Sequence, residues 1–311
     1  MASVSDKNTS YLNLSDSNYE FENPLLFWFF LIFDIPAVFC SLFSLYHLLI
    51  ERSLREALHN HTTIIILLFN LVYQLVDIPL HLQYFKTGII RPTNSTLCLF
   101  WLFIDYGFYF INLVVLMWAS FERHILIFHS SMMATQRKRF FIHYVPLFII
   151  VSFLLIFYGI AIFSPPCQNT FDFTKDLCGM AGCYGSIPSF ALIERIAFAI
   201  IPMFLIIIFN IGLLVRIVWQ KQKKLAVNLV SISLVYLCFD GPLTMINLVR
   251  LCGKSNWASD PWSIFFYISY FPILLLPMVC LGSSSELRNK LIPFHSRQHQ
   301  RVAVLATAHH T

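Results

Sequence analysis

The sequence predicts an all-α membrane protein, a seven-transmembrane helix bundle with its N-terminus outside and its C-terminus inside. Three features predict it: apolar runs of bilayer length, the alternation of basic residues between them, and the cysteines and glycosylation sequons that share one side. Of the 311 residues, 58% are hydrophobic, 12% are charged and 16% are aromatic, with 32 Phe. A soluble domain carries about 25% charged residues, so roughly half of the usual charge is missing. A buried core does not remove that much charge. Runs of about 20 apolar residues do, because each crosses the hydrocarbon as one helix.

The runs lie at 25–50, 61–84, 98–121, 141–163, 188–219, 225–250 and 261–281. The first starts beside Pro24 and is too long for the apolar region of a signal peptide, so no cleaved leader is expected. Residues 1–24 are then an extracellular segment, 25–281 the transmembrane domain and 282–311 a cytoplasmic tail. The tail opens on Ser283-Ser284-Ser285-Glu286-Leu287, the start of a short amphipathic helix lying along the membrane. Only Gln220 to Lys224 link the fifth and sixth runs, which leaves no room for a folded cytoplasmic domain.

Orientation follows from the basic residues. One set of connecting stretches holds Arg52 and Arg55, then Arg123, Arg137, Lys138 and Arg139, then Arg216, Lys221, Lys223 and Lys224, then Arg288, Lys290, Arg297 and Arg301. The alternate stretches hold fewer: Lys7, Lys86, Arg91, Lys175, Arg250 and Lys254. Cytoplasmic loops carry the Lys/Arg excess. The net charge of +5 therefore reads as membrane topology, and no nucleic-acid partner is expected. The sequons at Asn8, Asn13 and Asn94 and the cysteines Cys98, Cys167, Cys178 and Cys183 then fall outside, in an oxidising compartment suited to disulfides.

The third run is the most informative. Cys98 opens it, Asp105 lies a third of the way along, and Glu122-Arg123-His124 closes it. Asp105 and Arg123 are separated by five helical turns, about 27 Å of rise, and share one face at opposite depths. Glu122-Arg123-His124 with Cys98 upstream resembles the third span of rhodopsin-like (class A) G-protein-coupled receptors, where an Asp-Arg-Tyr motif follows a bridging Cys. The resemblance covers the whole chain. Pro202, Pro242 and Pro277 match the family's prolines in spans five, six and seven. Departures are also clear: Asn70 stands where the family has its sodium-site Asp, Asn210 replaces a Tyr, and Asp240 fills the Trp position of Cys238-Phe239-Asp240-Gly241-Pro242. Only the proline remains of Asn-Pro-x-x-Tyr. Such departures are similar to those of receptors expanded within single invertebrate lineages.

The resemblance implies a receptor that couples an extracellular ligand to a heterotrimeric G protein, through Glu122, Arg123 and His124, with Arg123 paired at rest to its acidic neighbour. It implies Cys98–Cys183 and Cys167–Cys178 bridges, with Cys98–Cys178 as the rival pairing that sequence alone leaves open. It places Asp105 where amine receptors hold their ligand-binding Asp, and Tyr270, seven residues before Pro277, where a Tyr hydrogen-bonds that Asp.

Ionisable residues inside spans are expensive and are functional candidates by default. They are Asp34, Asp77, Asp105, Glu194, Arg195 and Asp240. Five acids against one base predict a negative outer cavity and a cationic ligand, an amine or a basic peptide. Asp105, Tyr270, Glu194 and Arg195 are the candidate ligand residues. Asp34 and Asp77, each two residues before a proline, are expected instead to satisfy backbone groups freed by the kink. His59, His61, His124, His129 and His143 gather near the inner face without metal-ligand spacing and read as interfacial packing. No metal site and no cofactor are expected, since the clustered outer cysteines pair more readily than they bind metal. A membrane enzyme would need a set such as His-Glu-x-x-His, which does not occur. The alternatives to a coupled receptor are a receptor-like binder that does not couple and a small-solute transporter or channel.

Overall fold

The computed structural model describes residues 23–128, 135–179, 182–220, 224–252, 257 and 259–291. Among them there are helices and no strand. Seven helices are long and apolar enough to cross a membrane: α1 Pro24–Ile50, α2 Asn60–Thr87, α3 Ser95–Leu126, α4 Gln136–Phe163, α5 Pro188–Val215, α6 Val230–Leu251 and α7 Trp262–Ser283. A short α8, Ser285–Leu291, follows. Large side chains such as Ile35, Phe39, Phe148 and Ile264 point out of the bundle and are mostly exposed. An apolar outer surface of this kind suits lipid rather than water.

Local chemistry sets the ends. Asn94 caps α3 by accepting a hydrogen bond from the Thr96 N–H at 3.0 Å. Asn94 is exposed, as a sequon must be; Asn8 and Asn13 lie outside the described residues. Gly88 ends α2 with φ +65°, a left-handed geometry that glycine adopts without cost, and its N–H bonds the Tyr84 carbonyl. Thr135 caps α4 one turn before its apolar run, so the helix begins at Gln136 and carries Arg137, Lys138 and Arg139 on its first turn.

The helices close into a ring. α1 packs on α2 and α7, α3 on α2, α4 and α5, and α6 on α5 and α7. Because α3 also touches α6, and so has four neighbours, it runs through the middle and is the most buried of the seven. α8 is docked by the buried Leu287, and Lys290 reaches Glu51 beyond the end of α1 at 3.1 Å. That ammonium, with His47, holds the Glu51 carboxyl below its usual range.

Pro277 creates a polar tie between three helices. It has no N–H, so the carbonyl of Ile273, four residues earlier, lacks its helical donor. Two side chains of α2 replace the donor: Asn70 Nδ2 at 2.7 Å and Gln74 Nε2 at 3.0 Å. Ser41 of α1 donates to Gln74 Oε1 at 2.9 Å and completes the contact. Asp34 and Asp77 do not play this part beside their own prolines. Asp34 Oδ1 is buried with no hydrogen-bond partner among the described residues, and Asp77 turns inward to side chains.

The loop between α4 and α5 folds down onto the bundle, and its pairing corrects the expectation. Cys98 bridges Cys178, and Cys167 bridges Cys183. The reason lies two residues earlier. Asp176 is buried against His81 of α2 and accepts a hydrogen bond from Tyr267 of α7, which brings Cys178 over the head of α3. Leu177 and Cys178 take left-handed backbone angles, φ +48° and +54°, to make this descent. Cys183 stays further along the loop, where Asn169 Oδ1 accepts its N–H at 2.7 Å.

The Ile273 tie predicts a stability effect. Asn70→Leu should lower stability by about 1 kcal/mol, the usual size of an interhelical hydrogen bond in a membrane protein. Adding Gln74→Leu should cost more than a second single loss, because the carbonyl is then left with no donor. Thermal unfolding in detergent of the two single variants and the double variant checks this.

Candidate functional site

Four of the residues singled out by sequence line one cavity at the disulfide end. Asp105 of α3, Glu194 and Arg195 of α5 and Tyr270 of α7 border a space of about 210 Å³. Aromatic side chains form much of the remaining wall: Tyr73, Tyr106, Tyr109, Phe110, Trp262 and Phe266.

The backbone that presents these groups is irregular. Asp105 sits in a π-helical stretch, Phe103–Phe108, and Glu194 and Arg195 open another, Glu194–Ile200. A third, Phe140–Tyr144, carries His143. Each wide turn re-aims the side chains it bears, and such turns concentrate at functional sites. Pro202 follows the α5 stretch and removes one further helical rung there. Tyr270 stands at a break in α7, where Ser269 bonds back to Phe266 and Pro272 restarts the helix.

Asp105 is held from two sides. Tyr73 of α2 and Tyr270 of α7 both donate to its Oδ1, Tyr270 at 2.8 Å. The Tyr270 bond matches the expectation drawn from the resemblance; the Tyr73 bond was not foreseen. Glu194 accepts from Tyr158 at 3.0 Å and from Tyr184 at 3.4 Å. Arg195 is exposed.

Behind Asp105 lies a group that the sequence reading missed. His81 of α2 is fully buried, and one ring nitrogen, Nε2, meets the Tyr270 hydroxyl at 3.0 Å and Asp77 Oδ2 at 3.6 Å. The other, Nδ1, lies 2.9 Å from Asp176 Oδ1, at an ion-pair distance without hydrogen-bond alignment. Trp101 of α3 donates its indole N–H to Asp77 Oδ1 at 2.7 Å. One readable signal existed: Asp77 and His81 are four residues apart, hence neighbours on one helix face. Asp176 carried no signal, because only the folded loop brings it there. The predicted charge balance changes accordingly. Of the five acids, Asp105 and Glu194 line the cavity, Asp77 faces His81, Asp34 lies on α1, and Asp240 is fully buried on α6.

At the far end of α3, Glu122 and Arg123 are buried and His124 packs on Phe209 of α5. Glu122 bonds to His143 of α4, so its carboxylate meets a neighbouring helix. His143 Nε2 in turn meets His61 Nδ1 at 3.1 Å, and His61 Nε2 meets the Arg55 carbonyl at 2.7 Å. That carbonyl only accepts, so His61 Nε2 carries a proton. His61 and His143 are thus hydrogen-bonded to each other, and both rings pack against Tyr144; His129 and the His59 side chain lie outside the described residues.

No family model matches the chain, and no curated protein matches it.

The Tyr270 geometry is testable. Tyr270→Phe removes the hydroxyl shared by Asp105 and His81 and should lower stability by about 1–2 kcal/mol, from one lost bond and two buried groups left short of a partner. Tyr267→Phe, which loses only the contact to Asp176, should cost less. Chemical or thermal unfolding of the purified variants gives the comparison.

Proposed function

We propose that the chain is a multi-pass receptor of the plasma membrane that couples an extracellular ligand to a cytoplasmic heterotrimeric G protein, and that it is not an enzyme. The observation that carries this reading is α3 itself. One helix presents Asp105 to the cavity at the disulfide end and Glu122-Arg123-His124 at the opposite end. A ligand that prefers one arrangement of α3 then biases the other end, which is what a population shift requires. In this reading the disulfide end and Asn94 face outside, as the basic-residue asymmetry and the sequons suggest.

The cavity favours a small cation. Two acids, Asp105 and Glu194, outnumber one base, Arg195, and the aromatic wall suits an ammonium through cation–π contact. A space of about 210 Å³ fits a small amine better than a basic peptide.

A receptor-like binder without coupling is the second reading. The observation that favours it is the engagement of Glu122 by His143, which ties the carboxylate of the Glu-Arg pair to α4.

Second-messenger output in cells expressing the chain separates the two. Under coupling, amine libraries should produce a response that Arg123→Ala abolishes at equal surface expression, and Asp105→Asn should weaken ligand potency by about tenfold to a hundredfold, the value of one charge-assisted contact. Amine binding with no output from either protein would decide for the non-coupling binder.

A further inference from the structure

We propose that Asp77, His81 and Asp105 form a binding site for one divalent transition-metal cation of the zinc class, set behind the cavity wall. The inference does not depend on G-protein coupling.

One ligand atom from each of the three residues lies within 4.8 Å of the other two, and all three residues are buried. Tetrahedral zinc, with bonds of about 2.0–2.1 Å, places its ligands roughly 3.3 Å apart. Small inward rotations of the side chains close that gap.

The surroundings are those that a metal site needs. Asp77 Oδ2 is fully buried, has no hydrogen-bond partner among the described residues, and faces His81 Nε2. Its sister oxygen is fixed by the Trp101 indole, so the open oxygen is aimed at the cluster. The nitrogen of His81 that points away, Nδ1, lies 2.9 Å from Asp176 Oδ1. A carboxylate behind the distal nitrogen of a ligating histidine sets its tautomer and raises its basicity. Tyr73 and Tyr270 orient Asp105 in the same manner. Because Tyr270 donates its hydroxyl proton to Asp105, Nε2 of His81 donates to the Tyr270 oxygen, and the metal would displace that Nε2 proton on binding.

Charge and ligand type point to the cation. The two ligating carboxylates match the charge of a divalent ion, which an apolar bundle would not hold without nearby counter-charge. One imidazole with two carboxylates suits zinc and its neighbours, whereas magnesium and calcium prefer oxygen alone. Asp105 borders the cavity and supplies the route of entry.

Zinc binding to the full-length protein in detergent, after removal of metal by chelation, tests the site. Equilibrium dialysis with metal analysis should find one zinc per chain that is lost in both Asp77→Asn and His81→Gln. Asp176→Asn should weaken it by about tenfold to a hundredfold, the usual effect of a residue behind a metal ligand. Zinc retained equally by Asp77→Asn and His81→Gln would overturn the proposal. Should those variants fail to fold, cobalt substitution of the native protein decides. A tetrahedral d–d spectrum without thiolate charge transfer supports the site. A thiolate band, or no tetrahedral spectrum, refutes it.

Discussion

His81 has no contact with solvent, and its ring stands among Asp77 of its own helix, Asp176 of the loop and Tyr270 of α7. Burying ionisable groups in an apolar bundle is costly unless each finds partners. That requirement organises the whole disulfide end. It pulls the loop down until Asp176 reaches the ring, which in turn brings Cys178 to Cys98. It also draws Tyr270 inward at the break in α7, where its hydroxyl meets Asp105. The cavity is the space left in front of this arrangement, so its floor and its polar groups have a common cause.

The same requirement, applied to the backbone, ties the middle of the bundle. Prolines in α7 and α5 remove helical donors, and the carbonyls they strand must be met from elsewhere. At Ile273 the replacement comes from α2, through Asn70 and Gln74. At the far end, Glu122 finds His143 and through it His61, so α2, α3 and α4 are joined by a chain of side chains. Each end of α3 is thus held by polar partners on neighbouring helices, while its middle is packed with apolar side chains such as Ile111, Leu113, Val115 and Leu116. A helix restrained in this way at both ends is a suitable element to link them.

Much of the fold was legible in the sequence. The seven runs match seven helices within a few residues, because the length and composition of a span are local properties. Asp105, Glu194, Arg195 and Tyr270 were chosen for their rarity within spans and for a family resemblance, and they do share one cavity. Asp77 was set aside with Asp34 as a partner for kinked backbone, although its spacing to His81 was open to view. The bridges, Cys98–Cys178 and Cys167–Cys183, differ from those the resemblance implies, since cysteine spacing carries no information about how a loop descends.

The sequence by itself determined the number, length and apolar character of the helices, because each follows from hydrophobicity over a contiguous window. It also determined which ionisable residues had to be accommodated inside them. Only the tertiary structure decided their partners. The π-helical turns at Asp105, His143 and Glu194 rotate those side chains by amounts that no periodicity encodes. The loop brings Asp176 to His81 from 95 positions away along the chain. Contacts of that kind depend on how seven helices settle against one another, a property of the assembled bundle and not of any segment of it.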